Sequence, residues 1–356
     1  CCRIHETERQ TRQSAMSGAQ GSIASTGRRR FLFISACAAA LPAWGKSGPT
    51  LHSRRGVLLG ADAQVQLYHA DTQLAEAAID ASFAEARRLE ALFSLHRSDS
   101  ALSRLNRDGR LSNAHPELRA LIATAADVSR ATSGAFDVTV QPLWQLYADH
   151  FSNPDADPAG PAPDDIKRAL ARVDYRNVYI NRDTIELARP DMMLTLNGIA
   201  QGYVTDRVVE RLRSFGLQDV LVNMGEHRAL GTQPGGAPWR IGLADPQRFW
   251  RTRGALALAD RAVATSGGYG TPFDNNGLHH HLFDPRNGCS ATSYRSVTVL
   301  ASSATIADGL STGISALPPK DARAALRAFP DACALFVARD GSQWSTGHNP
   351  PALSRG

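Results

Sequence analysis

The chain has 356 residues, 43% of them hydrophobic and 21% charged, which suits a globular protein of one large domain or two modest ones. Its formal net charge of +5 belongs to the N-terminus: residues 1–46 carry seven basic and two acidic side chains, and the remainder balances 32 against 32. A neutral body lacks the basic footprint of a nucleic-acid or anionic-membrane binder, and five cysteines without a CxxC pair indicate neither a zinc site nor a redox dithiol.

Taken in chain order, Met16 reads as the natural start, and Arg28, Arg29 and Arg30 then precede a short apolar run over residues 31–43. That run is too short to span a bilayer and reads as a cleavable twin-arginine export signal. The expectation is a leader over residues 1–45 and a periplasmic mature chain, 46–356, with no membrane span after cleavage. Alternation predicts a strand over 64–69, and apolar residues at helical spacing predict a helix over 74–93. A polar turn leads into a short helix near 106, and a further helix runs from Pro116 to Thr132. Residues 150–165, rich in Pro, Asp and Gly, form a surface loop or a subdomain break.

A hairpin follows over 178–187, then an apolar strand-like lead-in through Leu196 into a helix over 198–215. Strands are expected at 219–224, 239–243, 297–301 and 334–337, with helices over 304–317 and 321–329. The elements mix without a βαβ rhythm, so the expected class is α+β: mixed, largely antiparallel sheets layered with helices.

Four places carry chemistry. Ser133 and Gly134 stop a helix just before Ala135, Phe136 and Asp137, either a capped tight turn or a close approach to a ligand ring. Asn197 and Gly198 start a helix, as an N-cap or as a backbone cradle for a diphosphate. Asp308 and Thr312, four apart, share one helical face and are either internal polar residues or oxygen ligands for Mg²⁺. Among His279, His280 and His281, successive extended residues point to alternate sides, so at most two could share one ion. His281, three residues before Asp284, fits a general base better.

Several blocks in order then resemble the ApbE flavin transferases, which are FAD:protein FMN transferases. They are SDSALSRLN (98–106), TSGAFDVT (132–139), LNGIAQGYVTD (196–206), VNMGE (222–226), ATSGGY (264–269), HLFDPRNG (281–288), and VTVL with DGLST (297–312). The resemblance implies a periplasmic, Mg²⁺-dependent enzyme that moves FMN from FAD onto a Ser or Thr hydroxyl of an acceptor flavoprotein and releases AMP. It implies FAD contacts at Ser100, Ala135, Phe136, Asp137, Thr195, Asn197, Gln201 and Ser266. It implies Mg²⁺ at Asp308, Thr312 and a main-chain oxygen near Gly198, with His281 and Asp284 catalytic. Thr195, Gln201 and His96 depart from the commoner Asp, Lys and Tyr of the family pattern. The LNGIAQG variant with a twin-arginine leader resembles the NosX-type branch, whose acceptor is a membrane flavoprotein of nitrous oxide respiration. Competing readings are an FAD-binding assembly protein without transfer and an Mg²⁺-dependent FAD pyrophosphatase.

Overall fold

A computed structural model describes residues 48–350. The predicted leader therefore lies outside the described residues. In chain order the strands are β1 (Thr50–Leu58), β2 (Ala61–His69), β3 (Arg110–Leu111), β4 (Val178–Ile180), β5 (Ile185–Leu187), β6 (Val220–Met224), β7 (His227–Leu230) and β8 (Trp239–Asp245). They continue as β9 (Arg248–Leu258), β10 (Ala262–Ser266), β11 (Phe283–Asp284), β12 (Cys289–Ser290), β13 (Tyr294–Ala301), β14 (Cys333–Ala338) and β15 (Gln343–Gly347). The helices are α1 (Thr72–Phe93), α2 (Ala101–Asp108), α3 (Pro116–Ala131), α4 (Gln141–Ser152), α5 (Pro163–Leu170), α6 (Ala200–Ser214), α7 (Ala304–Ile314) and α8 (Pro319–Arg327).

The main sheet runs β1-β2-β6-β7-β10-β13-β14-β15, with antiparallel neighbours throughout. It is covered on both faces, and the period of two shows which residue serves which face. Val220, Val222 and Met224 of β6 and Val297 and Val299 of β13 join the large core under the helices. Leu221 and Leu300, each next to one of these, turn the other way and meet Trp239, Ile241, Leu256 and Leu258 of the β8–β9 hairpin. Each such side chain removed from water stabilises the fold by about 1.5–3 kcal/mol. The α+β expectation holds, with helices layered on an antiparallel sheet.

Local signals place the helices. Asp71 caps α1 by accepting from the N–H groups of Gln73 and Leu74, and a stripe through Ile79, Phe83, Ala86 and Leu89 turns into the core. Gly109 and Gly216 close α2 and α6 at φ of 68° and 80°, conformations that a side chain would strain. Several elements differ from expectation. The lead-in at 194–196 is irregular, held by Thr195 N–H on the Val138 carbonyl and by Asn106, whose amide bonds both main-chain groups of Leu194. The proline-rich connector is only 153–162, because α4 runs to Ser152 and α5 begins at Pro163. Edge strands β1 and β15 extend the sheet beyond the expected strands. Among the described residues no helix is long and apolar enough to cross a membrane.

Candidate active site

A cavity of about 340 Å³ opens beside the first turn of α6. Its walls come from sequence-distant pieces: Ser94, His96 and Arg97 after α1, the 135–138 turn, Asn197 and Gly198, the β6–β7 turn with Glu226, the end of β10, and His281. Such a mostly apolar cleft with a few convergent polar groups is the usual form of a small-molecule site.

The chemistry gathers where α6 meets α7. Asp308 is 4% exposed, and its carboxylate accepts from the Gly202 N–H at 2.9 Å, consuming one of the donors left open at the start of α6. Gly202 must be glycine for this approach, since a Cβ there would lie 2.2 Å from the Ala304 carbonyl oxygen. One turn on, the Thr312 hydroxyl stands 3.3 Å from that of Ser266, which lies 2.7 Å from that of Ser311. Gly198 packs so near that a Cβ would lie 3.1 Å from the Thr312 hydroxyl oxygen. Burial pushes Asp308 up to about 7. Glu226, on the same cavity, is raised well above the carboxylate range by burial and by Asp308. Two acids that resist ionisation beside two hydroxyls make an all-oxygen donor set that a hard divalent cation would satisfy.

Asp206 fixes the helix that carries this set. Its carboxylate accepts from Ser303 Oγ, the N–H groups of Ala304 and Thr305, and Thr305 Oγ1, and it pairs with Arg228. A single α6 side chain thus caps α7 at its N-terminus, where a negative charge is stabilising.

The 135–138 turn depends on left-handed backbone at Ser133 and Gly134, φ 52° and 80°. Asp137 lines the cavity, but its oxygens accept from Thr139 N–H, Thr139 Oγ1 and Tyr175 N–H. Burial nevertheless outweighs these bonds and lifts its pKa to about 6. Its visible work is to brace the turn that presents Ala135 and Phe136.

Of the expected site residues, Ala135, Phe136, Asp137, Thr195, Asn197, Gly198, Gln201, Ser266, His281, Asp308 and Thr312 all line this one cavity. Ser100 and Asp284 do not. Ser100 is buried as the cap of α2, accepting from Ser103 N–H and donating to the Ser94 carbonyl. Asp284 turns to Arg286 and Asn287 and organises its own loop. Both are polar types that serve local backbone as readily as a ligand.

The three histidines separate. His279 stacks on Tyr147 and Phe151, and buried His280 bonds the Ala291 carbonyl and is pushed down to about 4. His281 lines the cavity with Nδ1 on the Thr271 carbonyl at 3.3 Å. A carbonyl can only accept, so Nδ1 is the donor in this bond. Sequence reasoning gave Glu226 no role. The signal was present: an acid follows Gly225, itself at φ 104°, at the end of an apolar strand.

The ApbE family model matches residues 59–336. The chain is 30% identical over 322 residues, 83% of it and 87% of the relative, to the FAD:protein FMN transferase of Treponema pallidum. The crystal structure of the Pseudomonas stutzeri flavinyl transferase ApbE in its apo form superposes with a TM-score of 0.72 at 29% identity, covering 84% of this chain and 94% of that one. The ApbE protein of Thermotoga maritima gives 0.73 at 28% identity, covering 83% and 97%. With the matched span enclosing the cavity and both of its helices, the chain belongs to the ApbE family.

Proposed function

We propose that this protein is a Mg²⁺-dependent FAD:protein FMN transferase. The reading is carried by one observation: Asp308, Thr312, Ser266 and His281 line one cavity, with the Thr312 hydroxyl between Ser266 and the backbone at Gly198. Phe136 offers an apolar face for the flavin ring, and Asn197, Gly198 and Gln201 line the cavity at the start of α6, where the diphosphate would lie. Asp308 and Thr312, with the main chain near Gly198, would hold Mg²⁺, which supplies neutralisation of diphosphate charge. An acceptor Ser or Thr hydroxyl attacks the FMN-side phosphorus, the bridging P–O bond breaks, and AMP departs with the bridging oxygen. His281 Nε2 takes the hydroxyl proton, help worth about 10²–10⁴-fold.

The location we propose is the periplasm, reached by the twin-arginine route; Arg28 and Arg29 ahead of the apolar run support it. The acceptor belongs to the membrane-flavoprotein class implied by the LNGIAQG variant. The test incubates residues 46–356 with FAD, Mg²⁺ and a candidate acceptor domain, following AMP and intact acceptor mass together. An FMN-sized mass gain that matches AMP, and is lost on chelation or in Asp308→Ala, is expected. AMP with free FMN and no acceptor labelling would instead mark a pyrophosphatase. FAD bound without AMP would mark a binding protein.

A further inference from the structure

A second, small void lies on the opposite side of β10 from the helices, between the β8–β9 hairpin and the main sheet. It is about 10 Å³, room for one small occupant, and its lining includes Arg253, Tyr269, Thr265, Thr298 and Ser296. Arg253 Nε and Nη1 are buried there with no hydrogen-bond partner among the described residues. A guanidinium remains charged in a protein, and although Arg253 as a whole is half-buried, two of its nitrogens are shut off from water with nothing to bond, which is costly. Asp245, the carboxylate whose field acts on it, forms no ion pair with it and accepts instead from Gln247 N–H. Thr265 and Thr298 hydroxyls bond each other at 2.9 Å, which uses one of their two hydrogens and leaves the other to donate. Burial holds Tyr269 as a phenol, a further donor.

We propose that this void is a binding site for a monovalent halide-sized anion, chloride under ordinary conditions, held by Arg253 with the hydroxyls of Tyr269 and the Thr265–Thr298 pair. Water is the poorer occupant. It can accept from only two of these donors, and it brings no charge to oppose the guanidinium.

The site adjoins the active cavity through shared residues. Thr265 lines both, and Glu226 lines the active cavity with it. Tyr269 packs so tightly on Gly267 that a Cβ there would lie 2.4 Å from its ring, and Gly267 and Gly270 line the active cavity. A bound anion would therefore tie the 267–270 loop to the sheet from behind.

The test needs no FAD and so stands apart from the transfer reading. Crystals of the mature chain are soaked in bromide and measured at its absorption edge, and Tm is followed as chloride replaces gluconate at constant ionic strength. Expected are an anomalous peak between Arg253 and Tyr269 and a Tm rise of about 2–3 °C at tenfold excess over Kd. Both should vanish in Arg253→Met. If that variant does not fold, Tyr269→Phe should shift the chloride midpoint upward. Bromide at surface positions alone (an adventitious ion only), or a Tm response identical in wild type and both variants, would overturn the proposal.

Discussion

Gly202→Ala sets two effects of opposite sign against each other. Gly202 lies inside α6, and helix propensity alone favours alanine by about 1 kcal/mol. Packing opposes it. The new Cβ would stand 2.2 Å from the Ala304 carbonyl oxygen, 2.6 Å from its carbon and 2.8 Å from Asp308 Cβ. Two of these are backbone atoms of α7 and cannot rotate aside, so the helices must part by about 1 Å to restore ordinary contact. Overpacking of this kind costs about 1–3 kcal/mol. The same displacement stretches the 2.9 Å bond from Gly202 N–H to Asp308 beyond hydrogen-bond range. A lost bond to a buried charged group adds about 1.5–3 kcal/mol. The net expectation is destabilisation by about 2–5 kcal/mol, read from urea unfolding of the mature chain. Mg²⁺ affinity, measured by calorimetry, should weaken in parallel as Asp308 moves off its site. A variant as stable as wild type, or more stable, would show that α6 and α7 do not meet as described.

Asp206→Ala should destabilise the fold by about 3–5 kcal/mol, since Arg228 and the start of α7 lose their partner, whereas Ser303→Ala should cost no more than about 1–2 kcal/mol in the same urea assay. Equal losses would refute the clamp. His281→Ala should lower kcat by about 10²–10⁴-fold with FAD affinity nearly unchanged, and weak FAD binding at normal turnover would make His281 a positioning residue instead. Asp137 gives a pH prediction. Its folded pKa is about 6 against an ordinary 3.8, so the stability it contributes is present below about pH 4 and lost as pH rises through 6. That segment is about 3 kcal/mol in size. The difference in unfolding free energy between wild type and Asp137→Asn should change by about 2–3 kcal/mol between pH 4 and 7, and a flat difference would remove the burial argument.

Local patterns carried much of the fold. The stripe of α1, the Gly216 stop and the shared face of Asp308 and Thr312 are all written at short range. What escaped has physical causes. Helix α4 begins at Gln141 after Val140, which has no side-chain cap, so Pro142 in its first turn is the only start signal after the 135–138 turn. β1 is an edge strand whose residues alternate poorly because His52 and Arg54 serve Glu76 and Asp80 of α1 rather than a clean apolar face. Ser100 and Asp284 sat in the right blocks, but blocks do not say whether a hydroxyl or carboxylate turns to a ligand or to its own chain.

Glu226 shows the limit most directly. No spacing rule links the end of β6 to the middle of α7; only the sheet order and the α6–α7 contact bring those two acids to one cavity. Their consequence is electrostatic. Gln201 lies across Gly225, where a Cβ would be 2.5 Å from its amide carbon, so the group beside Glu226 is neutral. An anionic diphosphate approaching Asp308 and Glu226 meets like charge, or acids that have taken up protons to avoid it. Under the proposed function a divalent cation would reverse that sign, and because it must displace protons from acids that burial holds protonated, its binding should strengthen as pH rises. On the same reading, the neutral Gln201 leaves neutralisation of the diphosphate to the metal and not to this side chain.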